Sequence, residues 1–298
     1  MVGIMLLLCS IMPFTACTST EDEPYKPETE QPSDDPNNNE EEDNDTTPVY
    51  GHLTTANTVS DVVNHEAFNE FGRFILPAER SYNVNMTLQN VASMLPYHNY
   101  ITGERAVETI NTMVDYVHDG NTLFYDIYSD ADKQADSRKN NTGLFFFRGE
   151  PGKPFAIVCP GGGFSYVGAI HEGFPLAIAL SKMGYNAFSI QYRTGGAQVA
   201  CEDLAGAIDF IMRHAEELQV STDDYSLWGG SAGARMAAYL GSYGTQGFIS
   251  AVHPRPATVV MGYTGHSDYT RNDPPTYVVI GDNDAIASAS VTVSYTHL

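Results

Sequence analysis

Positive charge is what this sequence has least of. Its 298 residues carry 15 Lys and Arg against 37 Asp and Glu, a net charge of -22. Phosphates and anionic headgroups repel such a chain, which argues against nucleic acid or a charge-held membrane surface as partner. Cysteine is scarce, four in all, and no C-x-x-C pair occurs. That excludes a disulfide framework and leaves no zinc-like spacing, so no metal is expected. Long apolar runs are missing as well. The one apolar segment, at the N-terminus, is too short for a spanning helix. There is no G-x-G-x-x-G with a ribose-binding acid after the next strand and no Gly-Lys-Ser/Thr, so the glycine runs are not nucleotide loops. No organic cofactor is implied, and there is no internal repeat.

What remains is ordinary for a globular protein: 42% apolar and 17% charged residues. The length suits one large domain or two small ones, with ample core. The charge is uneven. Residues 18–48 hold twelve Asp/Glu against one Lys and almost nothing apolar. Such a segment cannot bury enough surface to offset its ordering entropy, so 17–48 reads as a disordered acidic tether.

Ahead of it stands "MVGIMLLLCSIMPFTAC", an apolar core followed by small residues and a Cys, the pattern of a targeting segment. "FTAC" resembles the lipobox of bacterial lipoproteins. The resemblance implies cleavage before Cys17 and lipidation of its thiol, with 1–16 as signal peptide. An ordinary secretory cleavage nearby is the alternative. The acidic "TSTEDE" that follows resembles the surface-export signal of lipoproteins from the Bacteroidetes group. Together these imply a lipid-anchored protein of the cell envelope at the outer-membrane surface, attached to membrane through the anchor alone. Cys9 leaves with the signal. Cys159, in a strand pattern, reads as a small buried hydrophobe, and Cys201 has no metal partner nearby.

Residues 49–120 read as a helical extension. In "ERAVETINTMVDYVHDG", Val107, Ile110, Val114 and Val117 share a face and Gly120 is a stop. "DVVNHEAFNEFGRFIL" looks helical but less regular. From Asn121 short β-rich runs take over: "TLFYDIY", "TGLFFFR", "PFAIVCP", "NAFSIQYR", "YSLWGG", "ATVVMGY" and "PTYVVIGD". Helix-sized segments, among them "HEGFPLAIALSKMG" and "ACEDLAGAIDFIMRHAEEL", separate the later runs. That alternation predicts an α/β fold, a mainly parallel sheet with helices on both faces.

In a parallel sheet, sites form at the carboxyl ends of strands. "GGSAG", Gly229 to Gly233, stands at such an end with a helix pattern after it. This is G-x-S-x-G in its required context, strand then tight turn then helix, and it makes Ser231 the candidate nucleophile. "CPGGGFSY" ends an earlier strand. Acyl transfer needs N–H donors aimed at an oxyanion, and the candidates are Gly162, Gly163 and Ala232. "YVVIGDNDAIA" offers an acid to orient a catalytic histidine, Asp284 or alternatively Asp282.

These three motifs resemble the α/β-hydrolases of the esterase/lipase type, in the hormone-sensitive-lipase and feruloyl/acetyl-esterase-like group. "PGGGF" matches the H-G-G-G oxyanion motif with Pro160 in place of His, "GGSAG" the elbow, and "GDNDAIA" the acid loop. "EGFP" and "IQYR" are similar to that group too. The likeness spans 121–287. It implies a serine esterase acting on a small-molecule or glycan-linked ester. A peptidase of the same fold and a non-catalytic surface binding lipoprotein are the alternatives.

The resemblance also implies a histidine on a loop after one more strand. Only "AIASASVTVSYTHL" follows Asp284. Residues 292–298, "TVSYTHL", match a translated sequencing adapter, so His297 reads as an artefact. The expectation is a hydrolase domain over 121–291 that lacks its last strand and its base, and so an inactive fragment. His171 and His266 could line the pocket; His214, in an amphipathic helix, reads as a surface residue.

Overall fold

The computed structural model describes residues 50–77, 79–95, 101–284, 287, 288 and 290. The signal segment, Cys17, the acidic stretch to residue 48 and the tail 292–298 with His297 lie outside the described residues. No helix among the described residues is long and apolar enough to cross a membrane.

Seven strands form one sheet: β1 Phe124–Tyr125, β2 Gly143–Phe147, β3 Pro154–Cys159, β4 Asn186–Gln191, β5 Ser221–Gly230, β6 Thr258–Gly262 and β7 Thr276–Val279. Their order is β1-β2-β4-β3-β5-β6-β7. β1 and β2 are antiparallel additions, and the five others are parallel. Parallel neighbours need long crossovers. The connection from β3 to β4 is α4 (Phe174–Lys182), that from β4 to β5 is α5 (Ala197–Arg213) with α6 (Ala215–Leu218), and that from β5 to β6 is α7 (Ala232–Tyr243). β3 has β4 on one side and β5 on the other. The chain therefore leaves β3 in one direction and returns past it, and the loops after β3 and β5 end up side by side at a switch point.

The strands of the β2 side are apolar on both faces because both faces are covered. β2 and β4 are buried throughout and β3 nearly so. "GLFFF" and "FAIVC" are continuous apolar runs for that reason, while β4 buries Asn186, Ser189 and Gln191 between its apolar residues.

The region before Phe124 is less helical than its sequence suggests. It contains α1 (Val59–Val63), two 3₁₀ segments over Asn69–Phe74 and Leu88–Met94, and one long helix, α2 (Gly103–His118). The apolar spacing explains the 3₁₀ turns. Phe68, Phe71 and Phe74 recur every three residues, as do Leu88, Val91 and Met94, and a period of three aligns side chains on a 3₁₀ helix rather than an α-helix. On α2 the stripe is rotated from the expected one. Ala106, Thr109, Ile110, Met113 and Val114 are buried, with Val107 and Val117 at its border.

Nor does this region stand apart from the sheet. Phe71 stacks on Phe124 at 5.2 Å and meets Phe145 of β2 edge-on at 5.8 Å. Phe145 in turn packs edge-on against Phe174 of α4 at 4.6 Å. The extension is a buttress that closes the β1–β2 flank with one continuous core. The polar "SDADKQADSRKNN" holds a short helix, α3 (Asp130–Ala135), and a 3₁₀ turn. Cys159 and Cys201 are buried free thiols, and burial pushes the Cys201 thiol up to about 12.

Candidate active site

Ser231 follows β5 directly and precedes α7, with φ 51° and ψ -115°. A non-glycine residue in that region is strained and is kept there only by its surroundings. The surroundings are tight. A Cβ on Gly229 would fall 2.3 Å from the Gly233 backbone, and one on Gly233 would fall 1.9 Å from the Cys159 carbonyl. Both elbow glycines are therefore required by contact. The Ser231 N–H donates to Gly262 O at 2.9 Å, which ties the elbow to β6. Ala232, at the first position of α7, has an N–H with no partner inside the helix.

The glycine loop after β3 lies against the elbow. The ideal Cβ position of Gly161 is 3.1 Å from the Ser231 Cβ. Gly162 has φ 137°, and a Cβ there would strike Tyr166 O at 1.9 Å. The loop is held at several points. Tyr192 Oη, buried, donates to Pro160 O at 2.8 Å. Gly161 O accepts from Gly168 N–H at 2.9 Å, and its own N–H donates to Glu172 Oε2 at 2.5 Å. Further on, Val167 N–H donates to Glu79 Oε2 at 3.3 Å, and Gln191 Nε2 donates to Glu79 Oε1 at 2.9 Å. Among the described residues the N–H groups of Gly162 and Gly163 have no internal acceptor.

These contacts account for motifs whose roles the sequence left open. Tyr192 and Arg193 are the end of "IQYR". Arg193, 5% exposed, places its guanidinium on Asp203 of α5, with Asp136 and Glu202 around it. The Arg193 N–H also donates to Asp203 Oδ2. This buried ion pair fixes the turn after β4. Glu172 is the acid of "EGFP", on a π-helical turn, Ala169–Gly173, that leads into α4. Its carboxyl pKa is raised by burial, against the opposing hydrogen bonds from Gly161 N–H and Tyr263 Oη. Glu79, from the extension, is raised for the same reason. Sequence reasoning missed Glu172, Glu79 and Tyr263 as site residues. An acid set in the apolar "AIHEGFPLA" was the available signal for Glu172; nothing local marks the others.

Asp284 lies past β7, which ends at Val279. Its Oδ1 accepts from Ala287 N–H at 2.9 Å. Asp284 is half-buried and Asp282 exposed. His171 lines a cleft of about 350 Å³ between α2 and α4 to which Ser231 does not contribute. Its ring nitrogen is 3.7 Å from the Glu172 carboxylate. His266 is buried edge-on against Tyr239 at 4.7 Å, and burial lowers its pKa. His214 is half-buried and stacks on Phe210 at 4.3 Å, so it is not the surface residue expected. Among the described residues, no histidine hydrogen-bonds Ser231 Oγ. No cluster of three or more His, Cys, Asp or Glu able to hold a metal occurs among them either.

Residues 148–256, from the end of β2 to just before β6, match the BD-FAE family model. No curated protein matches the sequence. Among solved structures, an acetyl ester-xyloside bifunctional hydrolase from Caldicellulosiruptor lactoaceticus is similar at 17% identity. It covers 58% of this chain and 79% of its own, with a TM-score of 0.50. MGS-M1, an α/β-hydrolase from a Medee basin deep-sea metagenome library, is similar at 22% identity over 52% of this chain and 69% of its own, TM-score 0.45. A lipase/esterase from Lactobacillus plantarum shares 19% identity over 52% of this chain and 79% of its own, TM-score 0.45.

Proposed function

From the α/β-hydrolase fold, to which this chain belongs, we propose that it is a serine hydrolase of carboxylic esters. Ser231 Oγ attacks the ester carbonyl carbon and gives its proton to a histidine, which the described residues do not supply. The carbonyl oxygen becomes an oxyanion held by the N–H groups of Gly162, Gly163 and Ala232. Collapse expels the alcohol, which takes the proton from the histidine and leaves an acyl-enzyme. Water then attacks that ester, activated by the same histidine, and frees the acid. Asp284 orients the imidazole. The observation that carries this reading is the strained backbone of Ser231, pressed against a glycine loop with donors to spare.

Acyl groups on glycans are the substrate class proposed, in keeping with a lipid anchor at Cys17 and a place on the cell envelope. Loss of metabolic palmitate labelling in Cys17→Ala tests the anchor; labelling that persists refutes it.

The experiment for the chemistry is p-nitrophenyl acetate hydrolysis by the protein expressed from its native locus. Ser231→Ala is expected to abolish turnover, by several orders of magnitude, and unchanged turnover rejects the nucleophile. The lack of a histidine at Ser231 among the described residues favours a second reading, a non-catalytic binding protein on the same fold. That reading prevails if the protein turns over no ester.

A further inference from the structure

Glu172 is a buried carboxyl in a place where electrostatics alone would not put one. Its Oε2 lies 2.6 Å from the ideal Cβ position of Gly161 and 3.0 Å from that of Gly230. It therefore stands beside the elbow, close to where the reaction of Ser231 would create negative charge. It reaches there from the turn just after the glycine loop and bends back onto the loop's first N–H.

Tyr263 completes the arrangement. It follows β6, and its N–H donates to Val279 O at 2.7 Å. Its φ is 36°, in the left-handed region, a strained conformation for a tyrosine. That bend carries the phenol across the end of β5. Tyr263 Oη sits 2.1 Å from the ideal Cβ position of Gly230 and donates to Glu172. One carboxyl thus ties the loop after β3 to the residue after β6, across the strand that carries Ser231.

We infer that Glu172 and Tyr263 are a positioning pair for the oxyanion hole. The inference rests on Ser231 being the nucleophile. Glu172 takes the Gly161 N–H and so leaves the hole to the next two N–H groups. With the Gly161 N–H and C=O both engaged, Gly162 and Gly163 are the first residues free to present theirs. Tyr263 holds the carboxyl against the loop. Without the pair the loop keeps its sequence and loses its aim, and an oxyanion donor is worth its full value only when preorganised.

Steady-state hydrolysis of p-nitrophenyl acetate tests this with Glu172→Ala, Glu172→Gln and Tyr263→Phe beside Ser231→Ala, each checked by its melting temperature. Glu172→Ala is expected to lower kcat about 10²-fold, the scale of one lost oxyanion donor, with KM little changed. Glu172→Gln keeps an oxygen acceptor for Gly161 N–H and is expected to recover most of that loss. Tyr263→Phe is expected to lower kcat several-fold. The pair is refuted by an unimpaired kcat in a folded Glu172→Ala protein, by a loss confined to KM, or by a Gln variant as slow as the Ala one. If Glu172→Ala does not fold, Tyr263→Phe decides, since its half-exposed ring tolerates the loss of one hydroxyl. Turnover surviving Ser231→Ala sinks the nucleophile itself. A dead Ser231→Ala beside an unimpaired Glu172→Ala sinks only the pair.

Discussion

The two flanks of the sheet differ sharply although their strands are chemically alike. β2 reads "GLFFF" and is buried at every position, whereas β7 reads "TYVV" and alternates between half-buried and exposed. Tyr277 is 64% exposed and Val279 50%. On the β2 flank, the extension supplies Phe71 and Phe74 against Phe124, and α4 supplies Phe174. Nothing among the described residues covers Tyr277. Burial of an apolar strand is thus a property of what lies over it, not of the strand. The same division reaches the site. Glu79 brings the buttress to the glycine loop, while Asp284, half-buried, follows the half-exposed strand β7 in sequence.

The contrast can be broken most forcefully at the ion pair behind β4. Asp203→Ala would strand the buried Arg193 guanidinium, and a loss of roughly 3–5 kcal/mol is expected in urea unfolding. A loss under about 1 kcal/mol would mean that Asp136 and Glu202 suffice to balance it. Truncating one aromatic on each flank sharpens the comparison directly. Phe145→Ala should cost about 3–5 kcal/mol and Tyr277→Ala about 0.5 kcal/mol or less. Equal losses would show that the β7 face is covered in solution.

The smallest effect is on pH dependence. Burial raises the Glu79 pKa above its ordinary 4.5, so the folded state holds that proton more tightly than the unfolded chain does. Its contribution to stability is whole below 4.5 and is lost as pH rises through the raised value. Glu79→Gln removes a group that titrates on folding. The fall in urea midpoint from pH 4.5 toward neutrality should be shallower in the variant, and parallel curves would contradict this. Asp61, Asp132 and Asp209 are shifted downward. Their effects lie below the ordinary carboxylate range, carry the opposite sign and cancel in the difference.

The parallel strands were legible because a strand covered on both faces is mostly apolar, as β3 is; β4 keeps Ala187, Phe188 and Ile190 in its centre but also buries Asn186, Ser189 and Gln191. The elbow was legible because its geometry demands particular residues at particular spacings. A Cβ on either Gly229 or Gly233 would fall under 2.5 Å from backbone, so no other residue fits, and the constraint is written locally. The extension reads as helical, less regularly before α2, because apolar spacings of three and of three-to-four overlap in short windows. On the 3₁₀ turn Phe71 packs against Phe124 and Phe145, and Phe74 against Phe124, contacts that no short window of sequence records.

The sequence by itself determined the strand–helix alternation, the nucleophile candidate and the glycine loop, since each follows from steric and burial rules acting over a few residues. Only the tertiary structure decided which acids meet that loop. Glu79 lies 88 residues before Val167, Glu172 eleven after Gly161, and Tyr263 a further 91 on. Their meeting depends on strand order, with β3 flanked by β4 and β5, and no local pattern of charge or hydropathy records which distant residues that order brings together.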